Sequence, residues 1–253
     1  MSPAQKYHKT FFSHVAAGSS ASAQKVVPLL LGVAEIRSVV DVGCGTGAWL
    51  AQFAASGIED YLGLDGDYVD QGSLAIPKDR FRPTDLEQAL DLGRRFDLAT
   101  SFEVAEHLPA EIAPKFVRSL TGLAPLVAFS AAIPGQGGVG HVNEQWPDYW
   151  AGLFAAEGYD LVDWFRCRLW NDDSIEPWYR QNLVLFVERD RVAGLKSDES
   201  GNDRMPLRVV HPDIFSDAIN KPSLRTVLKS FPAALRLSLE SRWARRPGWL
   251  ANR

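Results

Sequence analysis

Residues 38–50, SVVDVGCGTGAWL, decide how the rest of the chain is read. Ser38-Val39-Val40-Asp41-Val42 is a short β-branched run, the composition of a buried strand. It runs straight into Gly43, Gly45 and Gly47, and Ala48 to Ala55 behind them has helix-forming composition. Strand, glycine loop and helix in that order bring the backbone close to a ligand at a helix N-terminus, where N–H groups attract negative charge. In a doubly wound sheet such a loop lies at the carboxyl end of the first strand, where ligands bind.

Outward from this stretch the pattern alternates between strand and helix. Strands are predicted at Tyr61–Asp65, Phe81, Phe96–Ser101, Leu126–Ala132, Asp160–Arg168 and Leu183–Glu188. Helices are predicted over Glu111–Thr121 and Trp146–Glu157, the latter ended by Gly158. Two further helices, 4–17 and 21–33, precede the first strand and are separated by Gly18-Ser19-Ser20. The alternation implies an α/β fold with a mostly parallel sheet covered on both faces. Three regions follow: an N-terminal helical cap (1–36), a ligand-binding domain (37–190), and a linker with a basic helical tail (191–253).

Composition narrows the function classes. At 46% hydrophobic and 23% charged residues, the 253-residue chain is an ordinary globular sequence rather than a disordered one. No apolar run approaches the roughly 20 residues of a membrane span, and no signal-peptide pattern opens the chain. Two cysteines, Cys44 and Cys167, make no disulfide framework or zinc spacing, so a cytoplasmic location and no metal centre are expected. The net charge of −4 divides unevenly: residues 221–253 carry eight basic side chains and one acid, leaving the remainder at about −11. An acidic body argues against nucleic acid as ligand. The basic tail is expected to dock on its own body or on another subunit, giving a homo-oligomer. Membrane contact is the less favoured reading because Pro232 and Pro247 interrupt its amphipathic pattern.

Gly43, Gly45 and Ala48 satisfy a dinucleotide fingerprint, and Asp65, some 20 residues on, would suit a nicotinamide cofactor's ribose. The glycine loop alone leaves that reading open. Asp41 extends it to D-x-G-x-G-x-G, and Asp65, Asp85-Leu86 and Ser101-Phe102-Glu103-Val104-Ala105-Glu106-His107-Leu108 follow in order. This series resembles the class I S-adenosylmethionine (SAM)-dependent methyltransferases over roughly residues 20–190. Ser22-Ala23 ahead of Pro28 is similar to members from glycan and natural-product biosynthesis clusters. The resemblance implies a Rossmann-like seven-stranded sheet whose last strand is antiparallel. It also implies SAM contacts from Ser22, Asp41, Gly43, Cys44, Gly45, Gly47, Asp65, Gly66, Asp85, Leu86, Phe102 and Glu103. Asp65 would bind the ribose hydroxyls, and Asp85-Leu86 would lie at the adenine. The rival readings are an NAD(P)-dependent oxidoreductase, whose Tyr/Lys or His catalytic set cannot be assembled, and a non-catalytic SAM-fold partner.

Methyl transfer to a hydroxyl requires an oriented acceptor and a group that removes its proton. His141, in the glycine-rich loop Gly135–Trp146 beyond the fifth strand, is the first candidate base, and His107, just past the fourth strand, the second. His8, His14 and His211 read as surface or lid residues. Asn143, Glu144 and Trp146 are candidate acceptor-binding residues. The cluster of Trp146, Trp150, Trp164, Trp170 and Trp178 reads mainly as core. Ser101-Phe102-Glu103-Val104 stands where nucleic-acid amino-methyltransferases carry an Asn/Asp-Pro-Pro-aromatic run. The expected acceptor is therefore a small molecule or glycan, methylated on oxygen.

Overall fold

The computed structural model describes residues 9–195, 206–220, 231–232 and 235–236. Residues 1–214 form one compact unit and 215–253 a second. Most of the basic tail, with both ends of its expected helix over 222–246, lies outside the described residues.

The first unit is built on a seven-stranded sheet: β1 (Ser38–Val42), β2 (Asp60–Asp65), β3 (Phe81–Pro83), β4 (Leu98–Phe102), β5 (Leu126–Ser130), β6 (Tyr159–Val162) and β7 (Val184–Glu188). The order across the sheet is β3-β2-β1-β4-β5-β7-β6. Pairing is parallel from β3 to β5, with Val40 beside Leu62 and Ala99. β7 runs antiparallel to both β5 and β6. The strand order reverses between β1 and β4, so the loops after these two strands open a crevice at their carboxyl ends.

Alternation along the strands feeds two apolar layers. On one face, Val39, Leu98, Phe102 and Leu185 pack with α1 (Lys9–Val33) and α2 (Ala48–Ala55) through Val26, Leu30, Trp49 and Phe53. On the other, Val40, Ala99, Val127, Phe129 and Phe186 meet α3 (Ala113–Leu123) and α4 (Pro147–Ala156). Phe154 stacks on Phe186 at 3.8 Å and 6°, with Phe129 edge-on to both. Each such aromatic pair adds about 0.5–1.5 kcal/mol beyond the area it buries. Pro114 does not interrupt α3 because it sits in the first turn, where its missing N–H costs nothing.

Two sequence expectations are corrected. The Gly18-Ser19-Ser20 stretch does not separate two helices: α1 is continuous through it and through Pro28. A Cβ on Gly18 would stand 2.0 Å from Glu176 Oε1, so the small residues record close packing rather than a break. The strand expected over Asp160–Arg168 stops at Val162, and Arg166–Leu169 form a helical turn, α5, that contains Cys167. Arg166 is fully buried, donating to Asp163 and to the carbonyls of Pro206 and Leu207, which fixes it off the sheet. A further helix, α6 (Pro177–Asn182), precedes β7. No described helix is long and apolar enough to cross a membrane.

Candidate functional site

The cofactor half of the crevice grows from the end of β1. Asp41 is buried; Thr100 donates to its Oδ1 at 2.7 Å, while its Oδ2 has no hydrogen-bond partner. Burial, and secondarily the charge of Asp65, push its pKa up to about 7, against the hydrogen bond from Thr100. Beyond it the N–H groups of Gly43 and Cys44 both donate to the Leu64 carbonyl, tying the loop to β2. The Cys44 N–H, among the expected cofactor contacts, is thus engaged by the sheet. Gly45 has φ +53, and a Cβ there would meet nothing within 4 Å. Its backbone thus lines open space in a conformation L side chains rarely adopt, which permits close approach of a ligand. Gly47 closes the loop, its N–H donating to the Cys44 carbonyl, and α2 begins behind it.

Asp65 ends β2 facing this loop. Its carboxylate accepts hydrogen bonds from Gly45 N–H (2.7 Å), Gly66 N–H (2.7 Å) and the Tyr68 hydroxyl (2.6 Å). Burial raises its pKa, and these three donors partly offset the rise. The Tyr68 hydroxyl supplies the type of donor that a ribose hydroxyl would supply. Asp85 is exposed and closes an Asx turn, accepting from Glu87 N–H at 3.0 Å, while Leu86 beside it is buried.

Other expected contacts are spent inside the protein. The Ser22 hydroxyl donates to the Gly18 carbonyl and accepts the Glu176 N–H, so it joins α1 to the start of α6 and does not face the crevice. Phe102 packs against Trp49 at 4.4 Å and near Tyr179 at 6.2 Å. Burial drives the Tyr179 pKa to about 12, so its hydroxyl, bonded to Ser19, stays protonated.

The other half of the crevice is assembled where β4 and β5 end. Glu103 takes φ +55, a left-handed conformation that costs a non-glycine residue about 1–3 kcal/mol. Its N–H donates to the Ser130 carbonyl, and its carboxylate receives Gln136 Nε2 (2.9 Å) and Asn182 Nδ2 (3.1 Å). Gln136 Oε1 also accepts from Asn182, and Gln181 Nε2 donates to Asn182 Oδ1. Gln136, Gln181 and Asn182 were not singled out from the sequence. The one signal was a polar Gln-Asn pair directly before the apolar run of β7.

The loop after β5 folds back on the turn after β4: Val142 and Asn143 N–H both donate to the Glu106 carbonyl. This brings His141 beside His107, with ring centroids 4.8 Å apart and edge-to-face. His141 Nδ1 lies 2.9 Å from Glu144 Oε1, and Gly135 and Gly137 N–H also donate to that carboxylate. Burial would raise the Glu144 pKa, but these donors outweigh it and hold the group ionised. A carboxylate can only accept, so Nδ1 carries a proton, and in the neutral ring Nε2 holds the lone pair. Glu144 is thus committed to orienting His141. Asn143 is buried, with Oδ1 accepting from Gln145 and Nδ2 without a partner; it does not cap α4, which starts after Trp146 without a side-chain cap. Of the tryptophans, Trp150 is buried in the core, and Trp146, Trp164, Trp170 and Trp178 are partly buried.

His211 is not a surface residue. It is 4% exposed, its N–H donates to Gln181 Oε1, and Nε2 meets the Trp170 carbonyl at 2.9 Å. His8 and the side chain of His14 lie outside the described residues.

Gly138 shows how tightly His141 is held. A Cβ at this position would stand 2.2 Å from His141 Nε2. Gly138→Ala is expected to push the ring aside and lower turnover by about 10–100-fold, the scale of a misplacement of an ångström. SAM affinity, measured by calorimetry, should not change.

Sheet order and crevice together define a Rossmann-like methyltransferase fold. Residues 15–125 match the family model described as a methyltransferase domain. That match spans 111 of the 253 residues, and within it Asp41, Asp65 and the Gly45 backbone form a cradle that SAM would fit. The fold is shared with a sugar N-methyltransferase from a Streptoalloteichus species, at 18% identity and a TM-score of 0.52 over 68% of this chain and 88% of that one. It is also shared with an amino pentose methyltransferase of calicheamicin biosynthesis from Micromonospora echinaspora (18%, 0.52, 72% and 98%). A third neighbour is magnesium protoporphyrin IX methyltransferase from Synechocystis (19%, 0.51, 68% and 80%), solved with SAM bound. No curated protein matches the sequence.

Proposed function

We propose that the protein methylates an oxygen of a small-molecule or sugar-containing acceptor, with His141 assisting deprotonation. The observation that carries this reading is the Glu144–His141 pair, which puts a proton on Nδ1 and would leave Nε2 of the neutral ring to take up another. The cofactor, when bound, supplies the electrophilic methyl group on its sulfonium. Asp65 would hold the ribose hydroxyls, the Gly45 backbone would admit the cofactor, and Leu86 would offer an apolar contact next to Asp85. On the acceptor side Asn143, through its unpartnered Nδ2, and Trp146 would position the substrate, and His141 would remove positive charge from the reacting centre as the O–H proton leaves. One structural neighbour is a sugar N-methyltransferase and another an amino pentose methyltransferase. An amine acceptor must also lose a proton, so the assay should offer hydroxy- and amino-sugars side by side.

Calorimetry against SAM, S-adenosylhomocysteine and NAD tests the cofactor half. SAM and S-adenosylhomocysteine should bind and NAD should not; tight NAD binding without SAM binding defeats the reading. Asp65→Ala removes charge-assisted hydrogen bonds worth roughly 1.5–3 kcal/mol. SAM affinity should fall by about 10–150-fold, the equivalent of that energy.

A further inference from the structure

Among the described residues, Glu106, His107 and His141 bring one carboxylate and two imidazoles to a single point. One ligand atom from each lies within 4.8 Å of the others. Glu103, Glu106 and His107 stand close together in the sequence and leave a metal open, but His141 arrives from a different loop, brought in by the hydrogen bonds of Val142 and Asn143 to the Glu106 carbonyl.

The state of Glu106 is the second, independent observation. The residue is 0% exposed, and neither carboxyl oxygen has a partner at hydrogen-bond geometry. Its polar surroundings are the backbone of Glu106 and Ala132 and the carboxyl of Glu103. Burying a carboxyl without a partner costs several kcal/mol unless something compensates. A cation at this point would give the two unpartnered oxygens a partner.

The third observation is the Glu144 contact. Metal-bound histidines almost always donate their second ring N–H to a carboxylate or carbonyl, which fixes the tautomer and the ring. His141 has that arrangement: Nδ1 donates to Glu144, so Nε2 is the ligand nitrogen.

We propose that Glu106, His107 and His141 bind a divalent transition-metal ion at the acceptor end of the crevice. Two nitrogens and one carboxylate oxygen suit Mn²⁺, Fe²⁺, Co²⁺ or Zn²⁺. Ligands on opposite sides of an ion at the usual bond length of about 2.1 Å are about 4 Å apart. The observed 4.8 Å limit closes onto an ion with side-chain shifts under about 1 Å.

This inference rests on the methyltransferase reading and specifies how His141 assists. With the ion bound, Nε2 is a ligand, and the ion's charge acidifies a coordinated acceptor hydroxyl. The O–H bond breaks and its proton passes to water. The oxygen lone pair then forms the C–O bond as the S–CH₃ bond breaks, its electron pair remaining on sulfur. Three protein ligands leave further positions on the ion, so an acceptor with vicinal oxygens would bind in preference to one with an isolated hydroxyl.

The test uses the full chain, stripped with a chelator and titrated with Mn²⁺ followed by electron paramagnetic resonance. One Mn²⁺ per chain, displaced by Zn²⁺, is expected. Glu106→Gln and His107→Gln, each checked for folding by circular dichroism, should weaken it by about tenfold or more, at the low end of the 10–100-fold seen on removing even an outer-shell partner. No Mn²⁺ or Zn²⁺ binding by the wild type, or unchanged binding in the folded variants, overturns the site. If one variant fails to fold, the other decides. Metal binding is read without substrate, so it separates from the parent reading. Loss of turnover in His141→Ala without any bound ion would leave direct proton uptake standing and remove the ion. Failure to bind SAM would remove the methyltransferase reading whatever the Mn²⁺ result.

Discussion

His141→Ala should lower kcat on a hydroxyl acceptor by about 10²–10⁴-fold, the usual contribution of a group that assists proton removal. SAM affinity should stay at the wild-type value. The ring lies beside His107, and the acids of the cofactor half are at the ends of β1 and β2, on the other side of the strand-order reversal. The fold should survive, since the loop carrying His141 is held by the backbone bonds of Val142, Asn143 and Gln145, which alanine keeps. Pre-steady-state turnover at saturating SAM separates the chemical step from product release. Unchanged turnover would show that His141 takes no part in deprotonation.

Asp41→Asn should stabilise the protein at alkaline pH by up to about 4 kcal/mol, because it removes a buried acid whose pKa rises from 3.8 to about 7 on folding. Below about pH 4 the acid is neutral in both the folded and unfolded chain and costs little. Between about pH 4 and 7 the unfolded chain releases a proton that the folded chain retains, so wild-type stability falls as pH rises. Above about 7 the full penalty is present. Asparagine stays neutral throughout and keeps an oxygen to accept the Thr100 hydroxyl. The Tm difference between variant and wild type should therefore be small near pH 4 and grow to a plateau above pH 7. For a chain of this size each kcal/mol moves Tm by about 2–4 °C. Scanning calorimetry of the cofactor-free proteins across that range checks it, and a pH-independent difference would refute the buried charge as the cause.

The parts of the fold legible in the sequence were those set by local pattern. Strand β1, the glycine loop and the order of Asp65, Asp85 and Glu103 follow from runs of β-branched residues and the turn residues after them. The antiparallel last strand came from the family resemblance, and the topology has it. What was not legible depends on partners far away in the chain. Gly18-Ser19-Ser20 looks like a helix break until Glu176 and Tyr179 are packed against it. Ser22 looks available for a ligand until the Glu176 N–H takes its hydroxyl. His211 looks exposed until Gln181 and Trp170 enclose it. The candidate site divides in the same way. Its cofactor acids stand at strand ends and could be counted out along the sequence. The meeting of His107, His141 and Glu106 is made by a loop that returns to the turn after β4, and spacing does not show that return.

The buried Arg166 bears on how the protein is made. Its guanidinium donates to the carbonyls of Pro206 and Leu207, and the His211 N–H a few residues later donates to Oε1 of Gln181, whose Nε2 bonds Gln136 and Asn182. A ribosome working from the N-terminus delivers all seven strands and both glycine-rich loops before it delivers this segment. Until residues 206–211 emerge, the nascent chain has a formed sheet and a buried cation short of two of its acceptors. The network around Glu103, Gln136 and Gln181 is thus completed last, so a chain truncated before residue 206 retains Asp41 and Asp65 but lacks the bonds that finish that network.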